Sequence, residues 1–126
     1  MRLAGVEKCI LVVEDDPSLR ELYRLTLRNA GYAVVAVEDG IDALRRIEHD
    51  PPDAVVLDLS LPRLNGRDVY HELKAGPETQ HIPVVVVSGM DTSDLNPKDF
   101  ACVLKKPIDA DALILAVKKC LRRVLK

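Results

Sequence analysis

Four short runs of branched apolar residues, each stopping at a polar or charged residue, constrain this chain more than anything else in it. Ile10-Leu11-Val12-Val13 stops at Glu14-Asp15-Asp16, and Ala54-Val55-Val56-Leu57 stops at Asp58. Val84 to Val87 stops at Ser88, and Val103-Leu104 at Lys105-Lys106-Pro107. Runs that are apolar at successive positions, not at every second one, suit strands covered on both faces, the condition of a parallel sheet. In such sheets ligands bind beyond the carboxyl ends of the strands. Side by side, these strands would bring carboxylates, a hydroxyl and an ammonium to one edge. That is an acidic pocket for a divalent cation with a positive charge opposite. Its simplest use is to handle a phosphoryl group.

The segments between the runs read as helices. The first strand is expected from Lys8 to Val13, followed by a helix with Asp16 as N-cap and Pro17 at its first position. Leu19, Leu22, Tyr23 and Thr26 have the spacing of a buried helical face, and Gly31 ends the helix. A second strand, Tyr32 to Val37, leads through Asp39-Gly40 to a helix of about Ile41 to His49 with Ala43, Leu44 and Ile47 inward. After Pro51-Pro52 comes a third strand, Asp53 to Asp58, then a loop with Pro62 and Gly66 and a helix ending near Gly76. Strands from Ile82 to Val87 and Cys102 to Lys105 precede a last helix that starts near Asp109. Its stripe of Leu113, Ala116, Val117, Cys120, Leu121 and Val124 is a core-facing one.

Alternating strands and helices make right-handed βαβ units. The expected fold is therefore α/β, a doubly wound five-stranded parallel sheet of flavodoxin-like type with helices on both faces. The second strand alternates more than the others and has polar residues close behind it, which places it at an edge. The order 2-1-3-4-5 follows, and Glu14, Asp15 and Asp58 then meet at the switch point between strands 1 and 3. Residues 1–126 suit a single domain with its core over about 8–125.

A net charge of −2 gives no global reason to expect nucleic acid or membrane as a partner. Cys9, Cys102 and Cys120 are odd in number, widely spaced and set among apolar residues, as small buried hydrophobes would be, and reduced thiols fit a cytoplasmic protein. The N-terminal residues have no apolar stretch long enough for a signal peptide, and no segment is long enough to span a bilayer. His49, His71 and His81 share no ligand spacing and read as surface residues. Lys118, Lys119, Arg122, Arg123 and Lys126 complement the dipole of the last helix and solvate its outer face.

Asp58 is the candidate nucleophile, since a carboxylate can attack phosphorus to give an acyl phosphate. Aspartate at a strand end also caps loops, so its neighbours decide the matter. Glu14 and Asp15 beside it would repel it unless a cation intervened. Mg2+ (or Mn2+) suits an all-oxygen site of this kind. Asp15 and Asp58 are the expected direct ligands, with Glu14 acting directly or through water and the Ser60 backbone carbonyl as a further ligand. Asp16 belongs to the helix cap. The Ser88 hydroxyl could bind a phosphoryl oxygen or merely end a turn. An ammonium facing Asp58 would neutralise phosphoryl charge. Lys106 is one candidate, its stem directed by Pro107 across a bond that can be cis, and Lys105 is the other.

These residues together resemble the receiver domain of two-component response regulators. The matching pieces are residues 10–17, Asp39-Gly40, residues 53–58, Pro62, Gly66, Ser88 and Lys106-Pro107, in the family's order. The resemblance implies Mg2+-dependent transfer of phosphoryl from a phosphohistidine of a histidine kinase or phosphotransfer protein to Asp58. It implies roles for Glu14 and Asp15 in metal binding and for Ser88 and Lys106 as switch residues, and it favours Lys106 over Lys105. It further implies a domain that catalyses only its own phosphorylation and dephosphorylation, existing as a monomer or a phosphorylation-dependent dimer. Output would pass to an unknown protein partner through the face of the fifth strand and last helix, with no direct nucleic-acid contact.

Two features depart from the pattern. Residues 89–101, with Pro97 among them, leave little room for the fourth of the family's five helices, which is expected to be short, irregular or absent. The aromatic switch position three residues before the lysine is Val103. Ser60 and Met90 occupy the positions that flank the phosphoryl group in the family. No output domain follows, which suits a stand-alone regulator or relay, or a piece of something larger. Three rivals remain. A phosphate-independent interaction module would leave the acceptor residues without a purpose. A haloacid-dehalogenase-type phosphatase needs a second acid where Ser60 stands, and a flavin carrier needs a phosphate loop where three acids stand.

Overall fold

Alternation along each strand decides which helices it packs against. The structure, a computed structural model, describes residues 7–61, 63–89 and 102–124, without the side chains of residues 123 and 124. The strands are β1 (Cys9–Val13), β2 (Ala33–Val37), β3 (Ala54–Asp58), β4 (Val84–Ser88) and β5 (Cys102–Lys105). All pair in parallel, in the order β2-β1-β3-β4-β5 expected from the sequence. The helices are α1 (Pro17–Asn29), α2 (Gly40–His49), α3 (Gly66–Ala75) and α4 (Ala110–Val124).

Leu11, Val13, Val55, Leu57, Val84 and Val86 form one core with Ala43 and Ile47 of α2 and Val69, Tyr70 and Leu73 of α3. Ile10, Val12, Ala54, Val56, Val85 and Val87 face the other way, onto Tyr23 and Leu27 of α1 and Leu113, Ala116, Val117, Cys120 and Leu121 of α4. Each central strand thus buries both faces, which is why the runs are apolar throughout. At the edge, β2 is only half-buried along its length.

Helix starts follow side-chain caps. Asp16 accepts from the N–H groups of Ser18 and Leu19, Asp39 from Asp42 and Asn65 from Asp68. After α1 the chain turns at Gly31, whose φ of 103° suits glycine. Gly66 is required by contact: a Cβ there would lie 2.3 Å from the Asp58 carbonyl oxygen. The first turn of α3 therefore packs directly on the end of β3.

Two expectations need correction. Leu22 is 52% exposed, and Leu27 is buried in its place. The buried line of α1 runs through Tyr23 and Leu27, and Leu22 falls at the edge of a shallow groove beside Ile108 and Leu113. Of the cysteines only Cys120 is fully buried; Cys9 and Cys102 are half-buried because they lie at strand ends. The three histidines are exposed as expected. The expectation of a shortened fourth helix, with Met90 and Pro97, lies outside the described residues, as do Pro62 and Lys126. Among the described residues no helix is long and apolar enough to cross a membrane.

Candidate functional site

The carboxyl edge of the sheet collects the charged residues that close the strands. Glu14 follows β1, Asp58 ends β3, Ser88 ends β4 and Lys106 follows β5. Ile10 and Val12, Ala54 and Val56, and Cys102 and Leu104 face the α1/α4 side. Two more steps of the same alternation carry Glu14, Asp58 and Lys106 to that side together. The Lys106 Nζ lies 2.7 Å from Glu14 Oε1 and 3.4 Å from Asp58 Oδ2. Lys105 is exposed, so alternation separates the two lysines and leaves Lys106 at the acidic cluster, the lysine that the family resemblance favoured.

Glu14 is 1% exposed. Its Oε2 accepts the Asp16 N–H at 3.2 Å, while its Oε1 has no aligned hydrogen-bond donor and meets Lys106 as an ion pair. Burial pushes the Glu14 carboxyl up to about 7, against the opposing pull of Lys106 and the Asp16 N–H, and the Asp58 charge adds to the rise. For Lys106, burial works against the ammonium, but Glu14 and Asp58 outweigh it and hold its pKa above the ordinary lysine value. Asp58 is also buried, and its Oδ1 accepts the Ser60 N–H at 3.1 Å. Asp15 is exposed.

Carboxylate oxygens of Glu14, Asp15 and Asp58 all lie within 4.8 Å of one another. Hard oxygen donors at this spacing fit a small divalent cation such as Mg2+ or Mn2+, which also relieves their mutual repulsion. Ser88 is 1% exposed and linked to the lysine through the backbone, its carbonyl accepting the Lys106 N–H at 2.8 Å. The Lys106–Pro107 bond is cis. Val103 is 36% exposed on the β5 face.

Three contacts were not foreseen from the sequence. Lys106 lies closer to Glu14 than to Asp58, a pairing between distant segments that local pattern does not reveal. The Arg20 Nη1 donates to the carbonyls of Glu14 at 3.0 Å and Asp15 at 3.3 Å; its only signal was a basic residue in the first turns of α1. Arg63 pairs with the buried Asp39 cap and lies 3.5 Å from Asp42, tying the loop after Asp58 to the start of α2. That loop approaches closely: a Cβ on Gly40 would lie 2.2 Å from the Leu64 carbonyl oxygen.

Comparison with known proteins bears on the whole arrangement. The sequence profile of the family described as "Response regulator receiver domain" matches residues 10–118. "Response regulator MprA" of Mycobacterium sp. (strain KMS) is 36% identical over 121 residues, which cover 90% of this chain and 50% of that protein. The chain thus spans about half the length of the curated relatives it matches. The crystal structure of a signal receiver domain from Vibrio parahaemolyticus superposes with a TM-score of 0.87 at 31% identity, covering 95% of this chain and 94% of that one. A response regulator receiver domain protein from Clostridium thermocellum gives 0.83 at 25% identity, covering 92% and 95%.

Proposed function

The chain belongs to the response regulator receiver domain family, and from that premise we propose that it takes a phosphoryl group onto Asp58. The donor is the phosphohistidine of a histidine kinase or phosphotransfer protein. An Asp58 oxygen bonds to phosphorus as the phosphorus–nitrogen bond breaks, and the imidazole leaves with its electron pair and takes up a proton. The product is an acyl phosphate. The observation that carries this reading is the meeting of Glu14, Asp15, Asp58 and Lys106 at one strand edge.

Asp15 and Asp58, with Glu14 and the Ser60 carbonyl, would hold Mg2+ or Mn2+. When bound, the ion screens the carboxylates and offsets charge on the phosphoryl oxygens. The chain's own groups do the rest. The Ser60 N–H orients the Asp58 carboxylate through Oδ1. Lys106, already within reach of Asp58, pairs with the added phosphoryl charge and in doing so leaves Glu14. Ser88 supplies a hydroxyl to the same group. Because the Lys106 N–H is bonded to the Ser88 carbonyl, motion at either is felt by both β4 and β5. The signal is a population shift of that side of the domain, read by a downstream protein. A domain of this kind would catalyse only its own phosphorylation and hydrolysis.

Intact-mass measurement after exposure to acetyl phosphate with Mg2+ tests the proposal. Wild type should gain one phosphoryl group and Asp58→Asn none. Gain by both, or by neither, removes Asp58 from the role. A phosphate-independent module predicts gain by neither.

A further inference from the structure

The turn that presents the acidic pair is braced from several sides. The Glu14 N–H is bonded to the Val37 carbonyl at 3.1 Å, tying the turn to β2. The Asp16 side chain caps α1, and its N–H holds Glu14 Oε2. The Asp16 carbonyl accepts the Arg20 N–H at 2.8 Å. Two carbonyls of the same turn, those of Glu14 and Asp15, then remain outside any helix or strand ladder. One nitrogen of Arg20 takes both, at 3.0 and 3.3 Å.

We propose that Arg20 is a positioning residue for the cation site, acting through the Glu14 and Asp15 carbonyls to set the direction of the Asp15 carboxylate. This rests on the reading of Asp58 as an acceptor that works with a bound cation. A carbonyl engaged by Arg20 cannot turn, so the peptide planes on either side of Asp15 are fixed. The exposed Asp15 carboxylate is then held on the same side as Asp58, within the 4.8 Å spread of the cluster. Losing a group that orients a metal ligand from behind typically costs about 10–100-fold in metal affinity.

The guanidinium also brings a positive charge to the border of a cation site. Charge alone would weaken cation binding, so its removal would tighten it. Positioning has the opposite sign. The direction of the change therefore discriminates between the two roles without reference to their sizes.

The test titrates Mg2+ into the full chain and its variants, following backbone amide shifts at the strand ends. Melting in EDTA and modification by acetyl phosphate at saturating Mg2+ are measured alongside. Arg20→Met should weaken Mg2+ binding roughly tenfold, in the range seen when an orienting partner of a ligand is lost. Its modification rate at saturating Mg2+ should stay within about twofold of wild type, because an effect on binding alone moves half-saturation and not the plateau. Arg20→Lys, which keeps the charge as a point donor, should fall between the two. If Arg20→Met does not fold, Arg20→Gln carries the same expectation of weaker binding. Mg2+ binding that is unchanged or tighter in these variants overturns the proposal, and a lower melting temperature with unchanged Mg2+ affinity would mark Arg20 as structural only. If wild type itself bound no Mg2+ and took no phosphate, the acceptor reading would fall, and this proposal with it. Normal wild-type behaviour with indifferent Arg20 variants overturns the Arg20 role alone.

Discussion

Glu14 makes the metal-free protein less stable as pH rises through neutrality. A carboxyl whose folded pKa lies above its unfolded value holds its proton more tightly in the folded state. The stability this gives is fully present below pH 4.5 and is lost as pH rises through about 7, the value to which burial pushes Glu14. Between pH 5 and pH 8 the loss from this site alone is ~2–3 kcal/mol. The raised pKa of Lys106 acts in the alkaline range and is constant over this window. Urea unfolding followed by circular dichroism at pH 5, 6, 7 and 8 in EDTA measures the slope. Groups that the substitution leaves untouched contribute equally to wild type and to Glu14→Gln, so the difference between the two slopes isolates Glu14. Wild type should fall by ~2–3 kcal/mol more than Glu14→Gln across the range. Mg2+ should flatten the wild-type slope, since a cation favours the ionised carboxylate. Equal slopes in the two proteins, or a wild type that loses less stability than Glu14→Gln toward pH 8, would refute the burial argument.

Other perturbations have defined signs. Gly66→Ala puts a Cβ 2.3 Å from the Asp58 carbonyl oxygen, and the fold should lose roughly 1–3 kcal/mol in urea as the end of β3 is displaced; an unchanged midpoint would show that α3 moves freely. Asp16→Ala removes an N-cap serving two N–H groups and should cost about 0.5–2 kcal/mol while leaving phosphoryl uptake in place; loss of uptake at full folding would make Asp16 part of the site. Lys106→Met removes the cation that competes with a metal for Glu14 and Asp58, so calorimetric or NMR titration should find Mg2+ bound several-fold more tightly, of order 1 kcal/mol. Weaker binding in Lys106→Met would mean that the lysine organises the acids instead of competing for them.

What could be read from the sequence follows from how local each cause is. The runs at 10–13, 54–57 and 84–87 announce themselves because both faces of those strands are covered, so apolar residues are needed at every position. The Asp16 cap is equally plain, because capping depends on residues within one turn. Leu22 misleads because helical spacing selects a stripe but not its margin, and the margin is set by where α4 lies. Lys106 and Lys105 stayed alternatives on local pattern and only the family resemblance favoured Lys106; the register of β5, Ser88 opposite Lys105, supplies the physical reason by fixing the side to which each turns. The Glu14–Lys106 pair, the Arg20 bonds to two carbonyls and the Arg63–Asp39 pair depend on tertiary approach between segments and left little or no local trace. The acidic residues were therefore found by pattern, and the cations that hold them in place mostly by coordinates.

Locating the modified atom tests the central claim most directly. Borohydride reduces an acyl phosphate to an alcohol, so an aspartate that carried phosphate is read afterwards as homoserine. Protein treated with acetyl phosphate and Mg2+, reduced, digested and sequenced by tandem mass spectrometry should show that conversion at position 58 alone, and nowhere when EDTA replaces Mg2+. Conversion at Asp15 or Asp53, or equal conversion without a divalent cation, would contradict the account.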